Sequence, residues 1–160
     1  MLKLLRPMMP VLFLCLFTAP PTFSAGQAPA LSVKDKCPVC GMFVSNYPDW
    51  VATIQFNDGT HVAFDGPKDL FTYYLNLKKY NPGKPQSAIA AIRVKDYYSL
   101  ATIDGRTAYY VIGSDVYGPM GKELVPFAKL TDARGFMVDH RGTKVVRLNE
   151  ITPAILKLLE

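Results

Sequence analysis

Cysteine is scarce in this chain: three residues in 160, Cys15, Cys37 and Cys40. So few leave no room for a disulfide scaffold. Long apolar runs are absent as well. No stretch reaches the ~18–20 residues that a stable membrane span requires, which excludes a channel. Basic runs stop at Lys78-Lys79. No DNA- or RNA-binding signature accompanies the sequence pI of about 9.1, so nucleic acid is not an expected partner. The 11 glycines follow no Gly-x-y period, which excludes a collagen-like chain. No Ser-His-Asp set, phosphate-cradling glycine loop or pair of carboxylates at a plausible spacing stands out, which argues against an enzyme. What is present is an ordinary globular composition, 49% hydrophobic and 19% charged. The length suits one domain or two very small ones.

Part of the formal charge of +5 belongs to the first two dozen residues. Lys3 and Arg6 precede a short apolar core, Val11 to Phe17, and small or turn-forming residues follow to Ala25. That order predicts a secretory signal peptide over 1–24, with Thr22 and Ser24 at the small-residue positions of the cleavage site, and a cut after Gly26 fits nearly as well. The apolar core is too short for a membrane anchor. Cys15 lies inside it, directly after Phe13 and Leu14. Lipid attachment needs a small residue at that point, so no lipid anchor is expected. Loss of 1–24 removes Lys3 and Arg6 and no acid, leaving 16 basic against 13 acidic residues, or +3, which reads as solvated surface. The expected location is the periplasm of a bacterial-type envelope. Such a compartment favours disulfides unless a metal or a partner keeps thiols reduced.

Residues 25–33 are small and free of acids and bases, and read as a flexible tether. Folded sequence begins near Lys34. Trp50 to Phe56, the turn Asn57-Asp58-Gly59 and His61 to Asp65 predict a β-hairpin. Gly66-Pro67 then opens a helix, with Asp65 as its N-cap and Pro67 in the first turn, where a missing N–H costs nothing. Leu70, Phe71, Tyr74 and Leu75 recur at helical spacing, Asn81-Pro82-Gly83 stops the helix, and Ala88 to Tyr98 reads as a strand. The second half repeats the order: a strand over 107–113, a tight turn at Gly118-Pro119-Met120-Gly121, a strand over 124–128, a helix over 131–140 and a strand over 144–148. A short closing helix follows over 151–159. Val62-Ala63-Phe64 and Val125-Pro126-Phe127 sit at equivalent places, which suggests two tandem ββαβ half-repeats. The expected fold is therefore α+β, with a first half over 34–99 and a second over 100–160. Neither half alone is large enough for a good core, so the two should pack together.

The strongest chemical signal is Cys37-Pro38-Val39-Cys40-Gly41-Met42. A Cys-x-x-Cys turn followed by glycine presents two sulfurs on one side, and Met42 adds a thioether. Thiolate and thioether are soft donors that select Cu(I) over harder ions. Met120, in the Gly-Pro-Met-Gly turn of the second half, has few neighbours for a core methionine and is a further candidate. Three other readings stay open. Cys37 and Cys40 can be a thiol–disulfide redox pair, although such motifs follow a strand and open a helix. They can be half of a structural zinc site, which wants four ligands, and only His61 and His140 are at hand to complete it. They can also be a disulfide-closed turn. His61 follows the hairpin turn and His140 ends a helix, where a cation suits the dipole. Both have a plain surface reading beside that of a metal ligand.

Four segments together carry a resemblance: CPVCGM, then FDGPKDLFTYYL after the hairpin, then VIGSDVYGPMGKELVPFA, and finally DHRGTKVVRLNEI. In this order they resemble the NosL family, the copper-binding accessory proteins of nitrous oxide reductase, from about Cys37 to Ile151. The resemblance implies a fold of two ββαβ units and an envelope Cu(I) metallochaperone without catalytic turnover. It implies delivery to a copper-accepting enzyme, with the catalytic copper centre of nitrous oxide reductase as the expected target and an ABC-type maturation complex as a partner. The positions that match the family's motifs are Cys37, Cys40, Met42 and Met120. Many members are lipoproteins, and the surroundings of Cys15 depart from that pattern.

Overall fold

The computed structural model describes residues 29–160. The expected signal segment and residues 25–28 of the expected tether lie outside the described residues. The first sheet grows from the expected hairpin. β1 (Ala52–Phe56) and β2 (His61–Phe64) pair antiparallel with Ala52 opposite Phe64 and Gln55 opposite His61. Ile54, Phe56 and Phe64 point into the core, because alternation puts every second side chain on one face. β3 (Ile89–Lys95) joins the other side of β1, and β4 (Thr102–Asp104), which no pattern in the sequence announces, forms the outer edge. β3 is shorter than the run Ala88 to Tyr98. Tyr97 leaves the strand and donates its N–H to the Pro126 carbonyl of the second half at 2.9 Å.

Between β2 and β3 the chain forms α1 (Pro67–Leu75) and a last turn, α2 (Leu77–Tyr80). The break falls at Asn76, whose φ of −123° leaves the helical region. The first turns of α1 are buried nearly all round: Pro67, Lys68, Asp69, Leu70, Phe71 and Tyr73. A helix that is covered on more than one face has something packed on its outer side, and here it is the second half of the chain.

That half is built from β5 (Tyr109–Ile112), a two-stranded ribbon of β6 (Tyr117–Gly118) and β7 (Gly121–Lys122), β8 (Val125–Phe127), α3 (Leu130–Asp139), β9 (Lys144–Val146) and α4 (Pro153–Leu158). Its main sheet has the order β8-β5-β9 and is antiparallel throughout. The first sheet has β1 between β2 and β3. In both, the first strand is central, the second lies on one side, and the strand after the helix lies on the other. Pro126 is tolerated because β8 is an edge strand. Thr152 caps α4 through the Ile155 N–H, and Pro153 takes the first helical position, where it is pre-shaped for the helix.

One core runs through both halves. It joins Ile54, Phe64 and Phe71 to Tyr110, Ile112, Leu124, Val146 and Leu156. Phe71 meets Tyr110 edge-on with ring centres 5.1 Å apart, a geometry worth roughly 0.5–1.5 kcal/mol beyond simple burial. A smaller cluster of Val111, Val125, Phe127, Ala133 and Phe136 is closed by Trp50 and Tyr97 from the first half.

Asp65 is not the N-cap of α1. Gly66 occupies that position and no side chain bonds from it. The cap comes instead from Glu123, in the link between β7 and β8: one carboxylate oxygen accepts both the Lys68 N–H and, at 2.9 Å, the Leu124 N–H. A helix start carries unpaired N–H groups and partial positive charge, so a carboxylate fits it wherever in the chain it comes from. Close approach requires the missing side chain of Gly66, since a Cβ there would stand 2.5 Å from Glu123 Oε2.

Burial pushes the Glu123 carboxyl up to about 8, against the pull of its two backbone hydrogen bonds. A folded-state value above the unfolded one means that the native state holds the extra proton between about 4.5 and 8. Stability from this group is therefore fully present below the unfolded value and is lost as pH rises through about 8. The neighbouring charges that face Glu123 are Lys68 and Asp69. In urea unfolding at pH 5–8, native protein should lose stability by up to ~1.4 kcal/mol per pH unit, the slope of one proton. E123Q should flatten that slope, and equal slopes in the two proteins would remove the assignment to Glu123.

Candidate metal centre

The CPVCGM segment is a closed turn. Gly41 N–H donates to the Cys37 carbonyl at 2.8 Å, and Cys37 N–H to the Met42 carbonyl at 2.9 Å. Gly41 turns the chain at φ +81°, a left-handed value that costs other residues energy and glycine almost nothing. Lys36 and Phe43 form a β-bridge, and the N–H of fully buried Val44 reaches the Asp35 carbonyl at 3.0 Å. The turn therefore does what its spacing predicts and sends both sulfurs to one side. Its anchor is the side chain of Cys37, only 1% exposed and part of the common core.

Two carboxylates meet the sulfurs. Cys37 Sγ donates to Asp69 Oδ2 at 3.2 Å, and Cys40 Sγ lies 3.4 Å from both oxygens of Asp65. Both cysteines are free thiols. One donor atom from each of Cys37, Cys40, Asp65 and Asp69 lies within 4.8 Å of all the others. Asp65 ends the hairpin and Asp69 stands one helical turn later, so the entry into α1 turns both toward the thiols. The carboxylate pair that seemed missing from the sequence is thus present. Its members look unpaired in one dimension because their partners, the cysteines, are some thirty positions away. A signal did exist in the spacing: Asp65 and Asp69 stand four positions apart at the entry of one helix.

The cluster concentrates acidic groups where water is scarce. Burial pushes the Cys37 thiol well above its ordinary value and Cys40 up to about 11. Burial also raises Asp69, and the nearby charge of Asp65 adds to the rise. Two thiols and two carboxyl groups are thus crowded into one small space. A cation entering among them replaces the thiol protons and relieves the crowding.

The other sequence candidates fall into two groups. Met42 is half-buried and closes the motif turn through its backbone. Met120 sits at the tip of the β6–β7 ribbon, 42% exposed, and its carbonyl accepts a bond from Lys68 Nζ. Pro119 lies beside Gly66, where a Cβ would come within 3.7 Å of its ring. The ribbon tip therefore rests on the stretch between Asp65 and Asp69. The histidines do not join. His61 is exposed at the start of β2. His140 pairs with Asp115 at 3.1 Å and stacks on Phe136. Neither belongs to the metal-capable cluster among the described residues.

A family model described as NosL matches residues 28–156. The copper-binding lipoprotein NosL of Stutzerimonas stutzeri is 28% identical over 134 residues, covering 78% of this chain and 65% of that protein, so the chain spans just under two thirds of that relative's length. The crystal structure of the copper chaperone NosL from Shewanella denitrificans superposes with a TM-score of 0.67 at 27% identity, covering 80% of this chain and 97% of that one.

The thiol environment can be read chemically in the metal-free, reduced protein. Only the thiolate attacks an alkylating agent. With a value of about 11, Cys40 should react at pH 8 roughly a hundredfold more slowly than a free cysteine. Cys37, buried and shifted further, should react only after Cys40. Mass mapping after timed iodoacetamide treatment gives the order, and prior or equal labelling of Cys37 would contradict this geometry.

Proposed function

The chain belongs to the NosL family, and on that premise we propose that it is a periplasmic Cu(I) carrier that hands copper to a copper-accepting enzyme. The observation that carries this reading is the CPVCGM turn, whose two free thiols meet in one cluster with Asp65 and Asp69; the ribbon tip that bears Met120 touches Gly66 and Lys68 of the same helix entry. Copper is cargo here and not a resident catalyst. Cys37, Cys40, Met42 and Met120 are the proposed soft donors, a set whose chemistry favours Cu(I). Exposure is graded across them, from buried Cys37 through half-buried Cys40 to exposed Met120. A partner's ligand can enter on the exposed side before the last protein ligand leaves, so copper passes through a shared intermediate. Transfer then follows the difference in affinity between donor and acceptor.

The names of the relatives, a copper-binding protein and a copper chaperone, support a carrier and not an enzyme. So does the thiol chemistry. A redox dithiol works through an accessible, low-pKa cysteine, whereas here burial raises both thiols. The acceptor we propose is nitrous oxide reductase, served together with an ABC-type maturation complex. Export by cleavage after Ser24, with release into the periplasm, belongs to the same proposal. The Stutzerimonas relative is a lipoprotein by name, but Phe13-Leu14 before Cys15 does not fit lipid attachment. Among the described residues no helix is long and apolar enough to cross a membrane.

A specific observation also favours a zinc reading. The four-ligand count that His61 and His140 were needed to complete is met by Asp65 and Asp69, and a closed Cys2Asp2 set is acceptable to Zn(II). The two readings separate by donor. In competition against a Cu(I) chelator and, separately, a Zn(II) chelator, the reduced protein should bind one Cu(I) and hold it far more tightly than Zn(II). M120A should weaken copper and leave zinc unchanged, while D65N should weaken zinc more than copper. Zinc binding without copper binding would reverse the assignment.

A further inference from the structure

Lys68 stands in the first turn of α1, immediately before Asp69, and is only 9% exposed. Its ammonium ends on no carboxylate: among the described residues it takes part in no ion pair. It donates instead to two backbone carbonyls from the far side of the chain, that of Met120 and, at 3.3 Å, that of Leu159. Burying an ammonium is expensive, and its two carbonyl partners offset part of that cost. What the ammonium does in particular is grip the tip of the β6–β7 ribbon.

That grip matters because little else holds Met120. Its side chain is 42% exposed, and the ribbon is a pair of two-residue strands. Glycines flank the tip, and Pro119 can offer no N–H. The floor of the contact is Gly66, which follows Asp65 directly, while Lys68 precedes Asp69. One side chain thus links the helix turn that carries Asp69 to the turn that carries Met120.

We infer that Lys68 is a positioning residue for cargo binding: by fixing the Met120 carbonyl it sets the Met120 thioether over the cluster of Cys37, Cys40, Asp65 and Asp69. This rests on the copper reading in which Met120 is a donor. Lys68 touches no copper itself. Its contribution is to remove the freedom that the ribbon tip would otherwise lose on binding, so that less affinity is spent on ordering the tip.

The test is a double-mutant cycle on the reduced mature protein, with Cu(I) affinity read by chelator competition and folding by urea unfolding. K68M should weaken Cu(I) by about tenfold, the scale of one charge-assisted hydrogen bond, in protein that urea unfolding shows to be folded at the titration conditions, although two carbonyls have lost their donor. K68R, which keeps donors for both carbonyls, should recover affinity to within about threefold. K68M/M120A should bind no more weakly than M120A, because Lys68 acts only through that methionine. In the metal-free protein, K68M should also shift the Met120 methyl resonance while the methyl of Met137 stays in place. Should K68M not fold, K68Q carries the same cycle. If M120A weakens copper and the Lys68 variants do not, or if the two losses add, Lys68 has no positioning role while the copper reading stands. If M120A binds copper as tightly as native protein, Met120 is not a donor and both fall together.

Discussion

A single buried carboxylate decides where the two halves of this molecule meet. One oxygen of Glu123 accepts the N–H of Lys68, at the start of α1, and the N–H of Leu124, at the start of β8. The other stands where a side chain on Gly66 would have to be. The contact brings together a helix start that lacks its own cap and a loop from the opposite sheet, at the cost of burying an acid that would otherwise be hydrated. Once it is made, the β6–β7 ribbon has one place to lie, with Pro119 beside Gly66 and the Met120 carbonyl on Lys68. The apolar core then closes behind it through Phe71 and Tyr110.

The same helix start serves two purposes. Its N–H groups face Glu123, and its flanking aspartates face the thiols of Cys37 and Cys40. Fold and site therefore draw on one short stretch, Asp65 to Asp69, and a disturbance on either side is felt on the other. In the proposed carrier, the cargo would meet a piece of chain pinned by the core on one face and by the second half on the other. The raised values of both thiols suit storage of protons that a metal displaces and do not suit thiol–disulfide turnover.

Much of this was legible in the sequence. The hairpin, the proline-first helix that follows it, the mixed order of strands and helices and the motif turn all rest on local rules: alternation, helical spacing, fixed φ at proline and left-handed freedom at glycine. Such rules act over a few residues, so one dimension suffices to read them. The motif turn in particular followed from Cys-x-x-Cys-Gly alone, and the structure adds only the bridge between Lys36 and Phe43 that closes it.

What one dimension did not carry was the identity of partners. Asp65 reads locally as a helix cap, and tertiary packing gives that task to Glu123, 58 positions later in the chain. Freed from the cap, Asp65 turns to Cys40, and Asp69, to which the helix pattern alone gives no role, turns to Cys37. β4 escaped notice because three residues at a sheet edge carry no periodicity of their own. The sequence by itself determined the turn that presents the two thiols and the α+β order. Only the tertiary structure decided which acids stand beside those thiols and what the Met120 carbonyl bonds, because a buried polar group takes the partner that the fold leaves in reach and not the one that its neighbours in the chain suggest.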